Sequence, residues 1–305
     1  MLIITYRRVF FGITAAIMLA SCISLGVFGL HLSTEFTGGT LVEIRYEAGR
    51  PETTLLSDAI KSAGISDYTI RETGEKGFTL RAPNLSPDTR QALPGALSLG
   101  GAHPVTIDRL SDIGPTIGVE LRNKSIVALS LVLLCILLFI AFAFRKVSRP
   151  VSSWGFGLMA IVGLVHNVVV TLGFYALLGH VFGAQVDTLF VTAVLTVLGF
   201  SVHDTIVVFD RIRERLRTNQ ERGRKEDFSL VVGASLNQTF VRSINTSLTV
   251  IITLLALFFM GPLSTQNFVL TLLVGIVAGT YSSLALASPL LVVWQEWRGE
   301  AGKGR

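Results

Sequence analysis

Charge is what this chain has least of. Its 305 residues include 26 Lys and Arg and 21 Asp and Glu, so only 15% are charged, against roughly 25% in soluble domains. Half of the residues are hydrophobic, and mean hydropathy is +0.60. Cysteine is nearly missing: Cys22 and Cys135 both fall inside apolar stretches, which reads as packing and leaves no disulfide framework or metal pair. HExxH does not occur, and no Ser/Lys or paired catalytic Asp arrangement stands out, so intramembrane enzyme chemistry has little support. The expectation is a protein that is not an enzyme and that binds neither metal nor cofactor.

The apolar residues are gathered in blocks, which a soluble core would not require. Six stretches, at about 9–30, 125–144, 154–178, 188–209, 239–260 and 268–294, each reach the ~20 residues that cross a bilayer as a helix. Spanning backbone must satisfy its own hydrogen bonds, so helices are expected. The net charge of +5 does not point to nucleic acid, because the basic residues collect at alternate ends of the blocks. Arg7 and Arg8 precede the first, Arg145, Lys146 and Arg149 follow the second, a run from Arg211 to Lys225 follows the fourth, and Arg298, Lys303 and Arg305 follow the sixth. The connections near 179–187 and 261–267 contain no Lys or Arg. The positive-inside rule then places both termini in the cytoplasm. The first block is too long for a typical signal-peptide core and lacks a clear small-x-small exit, so it is read as a retained anchor.

Residues 31–123 form the one sizeable polar segment. Leu41-Val42-Glu43-Ile44-Arg45-Tyr46 alternates as a strand after the turn Thr37-Gly38-Gly39-Thr40. Apolar residues at helical spacing follow over 53–63, and Gly64 supplies a stop. Asp67 to Arg71 and Phe78 to Arg81 read as a hairpin around Gly74 and Gly77. Ser86 caps a second short helix whose length Pro94 is expected to limit, and Pro104 to Asp108 reads as a last strand. The order βαββαβ predicts a ferredoxin-like α+β domain. It holds no His/Cys cluster and no nucleophile motif, so a docking or substrate-handling module is expected. The chain therefore divides into 1–30 (cytoplasmic N-terminus and first helix), 31–123 (the extracytoplasmic domain), 124–297 (helices two to six) and 298–305 (a cytoplasmic tail).

Polar residues inside the blocks carry the functional reading. Asp204 lies before the fourth block has ended, where a carboxylate costs roughly 2.5–3.5 kcal/mol on insertion scales. Arg242, Asn245, Thr246 and Thr249 fall at i, i+3, i+4 and i+7 on one face of the fifth helix. Asp204 precedes Arg211 by roughly 10 Å of helical rise, and Arg242 is similarly close to its end of the block, so the two can meet. An acid that gains and loses such a partner would couple proton movement to helix movement. A static ion pair, or an arginine reaching for headgroups, is the alternative. Asp210 beside Arg213 reads as a solvated pair. His166-Asn167 lies near the middle of the third helix and His203 adjoins Asp204; both histidines are titratable. Thr188, Thr192 and Thr196 line one face of helix four and are read as packing. Gly275 and Gly279 form GxxxG in helix six, followed by Thr280-Tyr281-Ser282-Ser283, also read as packing.

Several of these phrases occur together in one family. Phe36-Thr37-Gly38-Gly39, Ser201 to Glu214, Asn237-Gln238-Thr239 with Arg242 and Thr246-Ser247, and Gly279 to Ser283 resemble the SecF branch of the SecD/SecF protein-export family over nearly the whole chain. The resemblance implies a polytopic α-helical membrane protein with six transmembrane helices and a ferredoxin-like periplasmic domain between the first and second. It implies residence in the bacterial inner membrane, a SecD partner, work with SecYEG on a translocating preprotein, YajC and YidC as further partners, and no nucleic acid. It implies use of the proton-motive force, with Asp204 and Arg242 in the proton path, His203, His166, Asn167, Asn245 and Thr246 as further candidates, and one more acid supplied by SecD. Phe36, Gly38, Gly39, Gly275 and Gly279 are expected to be structural. Two residues depart from the family pattern: Asn167 stands where relatives carry Asp after the histidine, and His203 where they carry Asn. Half of a proton-driven small-molecule exporter from the related resistance-nodulation-division superfamily is the nearest rival, although the short extracytoplasmic segment argues against it. A passive assembly factor is the second rival.

Overall fold

The structure, a computed structural model, describes residues 2–143 and 153–301. Arg145, Lys146 and Arg149, and with them Lys303 and Arg305 of the tail, lie outside the described residues. A single turn α1 (Leu2–Thr5) precedes α2 (Arg7–Phe28), and a second turn is α3 (Thr34–Thr37). Then come β1 (Gly39–Tyr46), α4 (Thr53–Ser62), β2 (Thr69–Thr73), β3 (Gly77–Ala82), α5 (Pro87–Leu97) and β4 (Val105–Ile113). Long helices follow: α6 (Pro115–Ala143), α7 (Ser153–Phe182), α8 (Thr188–Glu221), α9 (Phe228–Met260) and α10 (Gln266–Ser282). A π-helical segment, Ser283–Ala287, joins α10 to α11 (Ser288–Ala301). Among the described residues six helical stretches are long and apolar enough to cross a membrane, α10 and α11 together making the last.

The chain forms two units. The larger holds residues 1–30, 128–184 and 189–305. Here α2 and α7 approach closely at small residues: a Cβ on Gly173 would lie 2.5 Å from the Ser21 Cα, and the Ser24 hydroxyl donates to the Gly173 carbonyl at 2.7 Å. Without a hydrophobic drive between helices in lipid, such backbone approach is what packing rests on. Ala193, Val197, Leu254, Leu272 and Ile276 build a shared core from α8, α9 and α10. Helix α8 has 34 residues, about 50 Å by its rise, so its apolar half continues without a break into the basic half.

The second unit is 31–127 with 185–188. Its four strands pair antiparallel in the order β2-β3-β1-β4, the split-βαβ arrangement read from the sequence. One sheet face and the helices α4 and α5 enclose a core of Val42, Ile44, Tyr46, Leu56, Phe78 and Leu97, among others. The Tyr46 hydroxyl donates to the Leu97 carbonyl at 2.6 Å, and burial pushes its phenol up to about 12. Two expectations change. Helix α5 runs through Pro94 to Leu97: the proline forfeits one amide donor, but Leu93 and Leu97 are fully buried and hold the last turn. Strand β4 extends to Ile113 rather than ending at Asp108. Its polar residues are paired: Asp108 takes a two-pronged bond from Arg45 at 2.9 and 2.6 Å, and Asp112 accepts from Thr40 at 3.0 Å.

The Phe-Thr-Gly-Gly phrase has a steric account. Phe36 is buried, and Gly38 and Gly39 have φ of +80° and +129°, which other residues rarely adopt. A Cβ on Gly38 would lie 2.7 Å from the Pro115 Cα, and one on Gly118 would lie 2.8 Å from the Gly38 nitrogen. The loop thus lies directly against the first turn of α6. Beside it, Glu35 is only 14% exposed. It accepts from Arg109 at 3.0 Å and from the Thr188 amide and hydroxyl at 2.9 and 2.6 Å, so a carboxylate closes the N-terminus of α8.

Candidate functional site

Asp204 lies on the inward face of α8 with Ser201, Thr205 and Val208 and is 6% exposed. Its partner is the hydroxyl of Ser283, the first residue of the π-helical segment, which donates to Asp204 Oδ2. The Ser283 hydroxyl also lies 3.0 Å from the Thr280 carbonyl, and Ser288 donates to the Ser283 carbonyl at 2.8 Å. A π segment leaves carbonyls out of the regular i→i+4 ladder, and the Ser288 hydroxyl fills part of that need.

The glycines of the GxxxG phrase explain how α10 comes so near. A Cβ on Gly275 would overlap the Val197 side chain, and one on Gly279 would lie 3.1 Å from the Ser201 Cβ. One turn from Asp204, a second polar chain crosses from α7 to α8. His166 Nδ1 and Asn167 Oδ1 are 3.0 Å apart, and Asn167 Nδ2 donates to Ser201 Oγ at 2.5 Å. With the amide nitrogen on Ser201, the amide oxygen faces the imidazole and accepts from the tautomer that carries its hydrogen on Nδ1. His166 is 2% exposed, and among the described residues its Nε2 has no hydrogen-bond partner. Tyr281 contacts α2 instead, at the Phe10 carbonyl (2.9 Å) and the Thr14 hydroxyl (3.1 Å).

Arg242 is elsewhere. It is exposed on α9 together with Asn245, Thr246 and Thr249, while Thr239, Ser243 and Ser247 occupy the buried face. Thr246 and Thr249 turn their hydroxyls back onto the Arg242 and Asn245 carbonyls, at 2.9 and 2.8 Å. Among the described residues no ion pair joins Asp204 to Arg242, so the structure does not bring together the contact expected from sequence. The reason is azimuthal: rise fixes position along an axis, but the inward stripe of α9 belongs to 239, 243 and 247, leaving 242 on the outer flank. His203, Thr192 and Thr196 are exposed on α8 in the same way. Asp210 pairs with Arg213 at 2.7 Å, the surface pair the spacing suggests. Farther along, Arg211 bonds Gln238 at 2.6 Å and so ties α8 to α9.

Ser283 was visible in sequence only as part of a small-residue stretch. The signal that could have raised it is the density of hydroxyls from Thr280 to Ser283 opposite an acid-bearing helix. Among the described residues, no group of His, Cys, Asp and Glu could hold a metal ion.

Comparison with known proteins gives matches over nearly the whole length. Residues 100–297 match the family model described as protein export membrane protein SecD/SecF, C-terminal, and residues 23–49 match the SecD/SecF GG motif. The chain is 44% identical over 305 residues to the protein translocase subunit SecF of Thermobaculum terrenum, covering 96% of this chain and 93% of that one. It is 37% identical over 302 residues to SecF of Anaerolinea thermophila, covering 98% and 96%. The crystal structure of SecDF, a translocon-associated membrane protein from Thermus thermophilus, superposes with a TM-score of 0.81 at 32% identity, covering 95% of this chain and 38% of that longer chain.

Proposed function

The chain belongs to the SecD/SecF family of protein-export membrane proteins, and from that premise we propose that it works as the SecF-type subunit of Sec translocation, drawing on the proton-motive force. It partners a SecD protein in the bacterial inner membrane, with both termini cytoplasmic and the α+β unit in the periplasm, and assists preproteins leaving SecYEG. The SecDF protein of Thermus thermophilus, in which similarity to this chain covers 38% of the length, supports the SecD partnership.

The observation that carries the reading is Asp204: a buried carboxyl, inside a membrane-length helix, bonded to a hydroxyl rather than to a cation. Such a group is costly at that place and is suited to taking up and releasing a proton. The outward stripe of Arg242, Asn245 and Thr249 needs protein or water against it, and the SecD partner supplies that cover together with a further acid. Each elementary charge crossing 100 mV provides about 2.3 kcal/mol. That energy becomes movement only if the two protonation states of Asp204 favour different helix arrangements.

Inverted membrane vesicles with an imposed proton gradient test this. Asp204→Asn and Arg242→Ala are expected to abolish gradient-stimulated export while leaving the export seen without a gradient. Unchanged stimulation in Asp204→Asn would reassign the protein as a passive assembly factor.

A further inference from the structure

A serine hydroxyl carries one proton, yet Ser283 faces two acceptors, Asp204 Oδ2 and the Thr280 carbonyl oxygen at 3.0 Å. The assignment of that proton depends on Asp204. An ionised carboxylate can only accept, so Ser283 must donate to it and the Thr280 carbonyl goes without this donor. A protonated carboxyl can donate to Ser283 Oγ, which frees the Ser283 hydrogen to turn onto Thr280. We infer that Ser283 is the proton-sensing partner of Asp204, a hydroxyl rotor whose direction reports the charge of the acid to the π-helical segment Ser283–Ala287.

No covalent bond to Ser283 changes in this step. The proton arriving from water stays on Asp204, and the serine hydrogen stays on Ser283; the Asp204–Ser283 hydrogen bond reverses direction and the bond from Ser283 to the Thr280 carbonyl forms. The consequence falls on backbone, because Thr280 lies in the turn that hands over from α-helical to π-helical bonding, and the Ser283 amide also reaches the Gly279 and Thr280 carbonyls. Adding or removing a donor there alters which ladder the turn favours. The neighbouring groups leave Ser283 this role. On α8, His203 and Asp210 are exposed; α7 brings His166 and α10 brings Tyr281, while Arg242 of α9 is exposed on its outer flank. Among the described residues, none of these forms a hydrogen bond or ion pair with Asp204.

The inference rests on the proton-coupling reading of Asp204, and infrared difference spectra separate the two. The full chain is examined with its SecD partner in membranes, stepped between acid and alkaline medium. The carboxyl band of Asp204 is identified by its loss in Asp204→Asn. In Ser283→Ala that band shifts to higher wavenumber, and gradient-stimulated export falls at least tenfold. In Ser283→Cys, which keeps the volume, the S–H stretch moves to higher wavenumber when Asp204 takes its proton, as the thiol turns from a carboxylate to a carbonyl. An S–H band that ignores the protonation of Asp204 overturns the rotor. So does a Ser283→Ala protein with an unmoved carboxyl band and full stimulation, while Asp204→Asn remains inactive. Full stimulation in Asp204→Asn itself removes the coupling reading and the rotor with it.

Discussion

At the scale of single residues, two glycines one turn apart differ in what they tolerate. A methyl group at Gly275 would enter space held by Val197, whereas at Gly279 it would meet Ser201 at 3.1 Å or more. Gly275→Ala is therefore expected to cost about 1–3 kcal/mol by overpacking and Gly279→Ala less, a ranking that thermal unfolding of the full chain in detergent can check. Tyr46 offers a pH-linked case. Its phenol is raised from 10.0 to about 12 by burial, so the stability it confers is complete below pH 10 and fades as pH climbs toward 12. Tyr46→Phe should remove that alkaline component of domain unfolding. At neutral pH it should cost about 1–3 kcal/mol, because the Leu97 carbonyl then loses its donor.

Helix ends and helix faces decide the next scale. Helix α9 begins at Phe228 under a cap in which Asp227 accepts from the Ser229 amide at 2.7 Å. The Ser229 hydroxyl and amide hold the Asp227 carboxyl below its usual 3.8. The capping contribution is thus present above that value and is lost as the medium is acidified through the lower folded-state value. Asp227→Ala should destabilise the helix start by about 1 kcal/mol, read as faster amide exchange over residues 229–232 at neutral pH and as no difference from wild type in strong acid. Hydropathy alone places the fifth span at 239 because 228–238 carries polar residues among its apolar ones. Val231, Val232 and Leu236 are nonetheless buried and extend the helix by three turns. The same blindness hid the end of β4 beyond Asp108, where Ser111 and Asp112 look like a loop until Thr40 is seen beside Asp112. The apolar half of helix α8 was legible as the stretch 188–209, and the basic run after it continues the same helix to Glu221. The π-helical segment was not, since a single extra residue in a turn barely disturbs the periodicity of an apolar run. Ser283 consequently read as packing.

For the whole molecule, sequence patterning conveyed the number of spans and the sheet order, but not which polar face points inward. Arg242, Asn245 and Thr249 are exposed in the isolated chain, so a cysteine at Thr249 should react readily with a water-soluble maleimide after solubilisation. Coexpression with SecD should slow that reaction severalfold, and equal rates with and without SecD would place the partner on another face. The loop 33–39 has a wider reach than its length suggests. Gly38 touches the first turn of α6 at Pro115 and Gly118, Glu35 grips Thr188 at the head of α8, and the same carboxylate holds Arg109 of the sheet. The first turns of two membrane-length helices and a β-strand are thus moored to one short stretch of chain, with the Glu35 carboxylate as the fastening that Arg109 and Thr188 share.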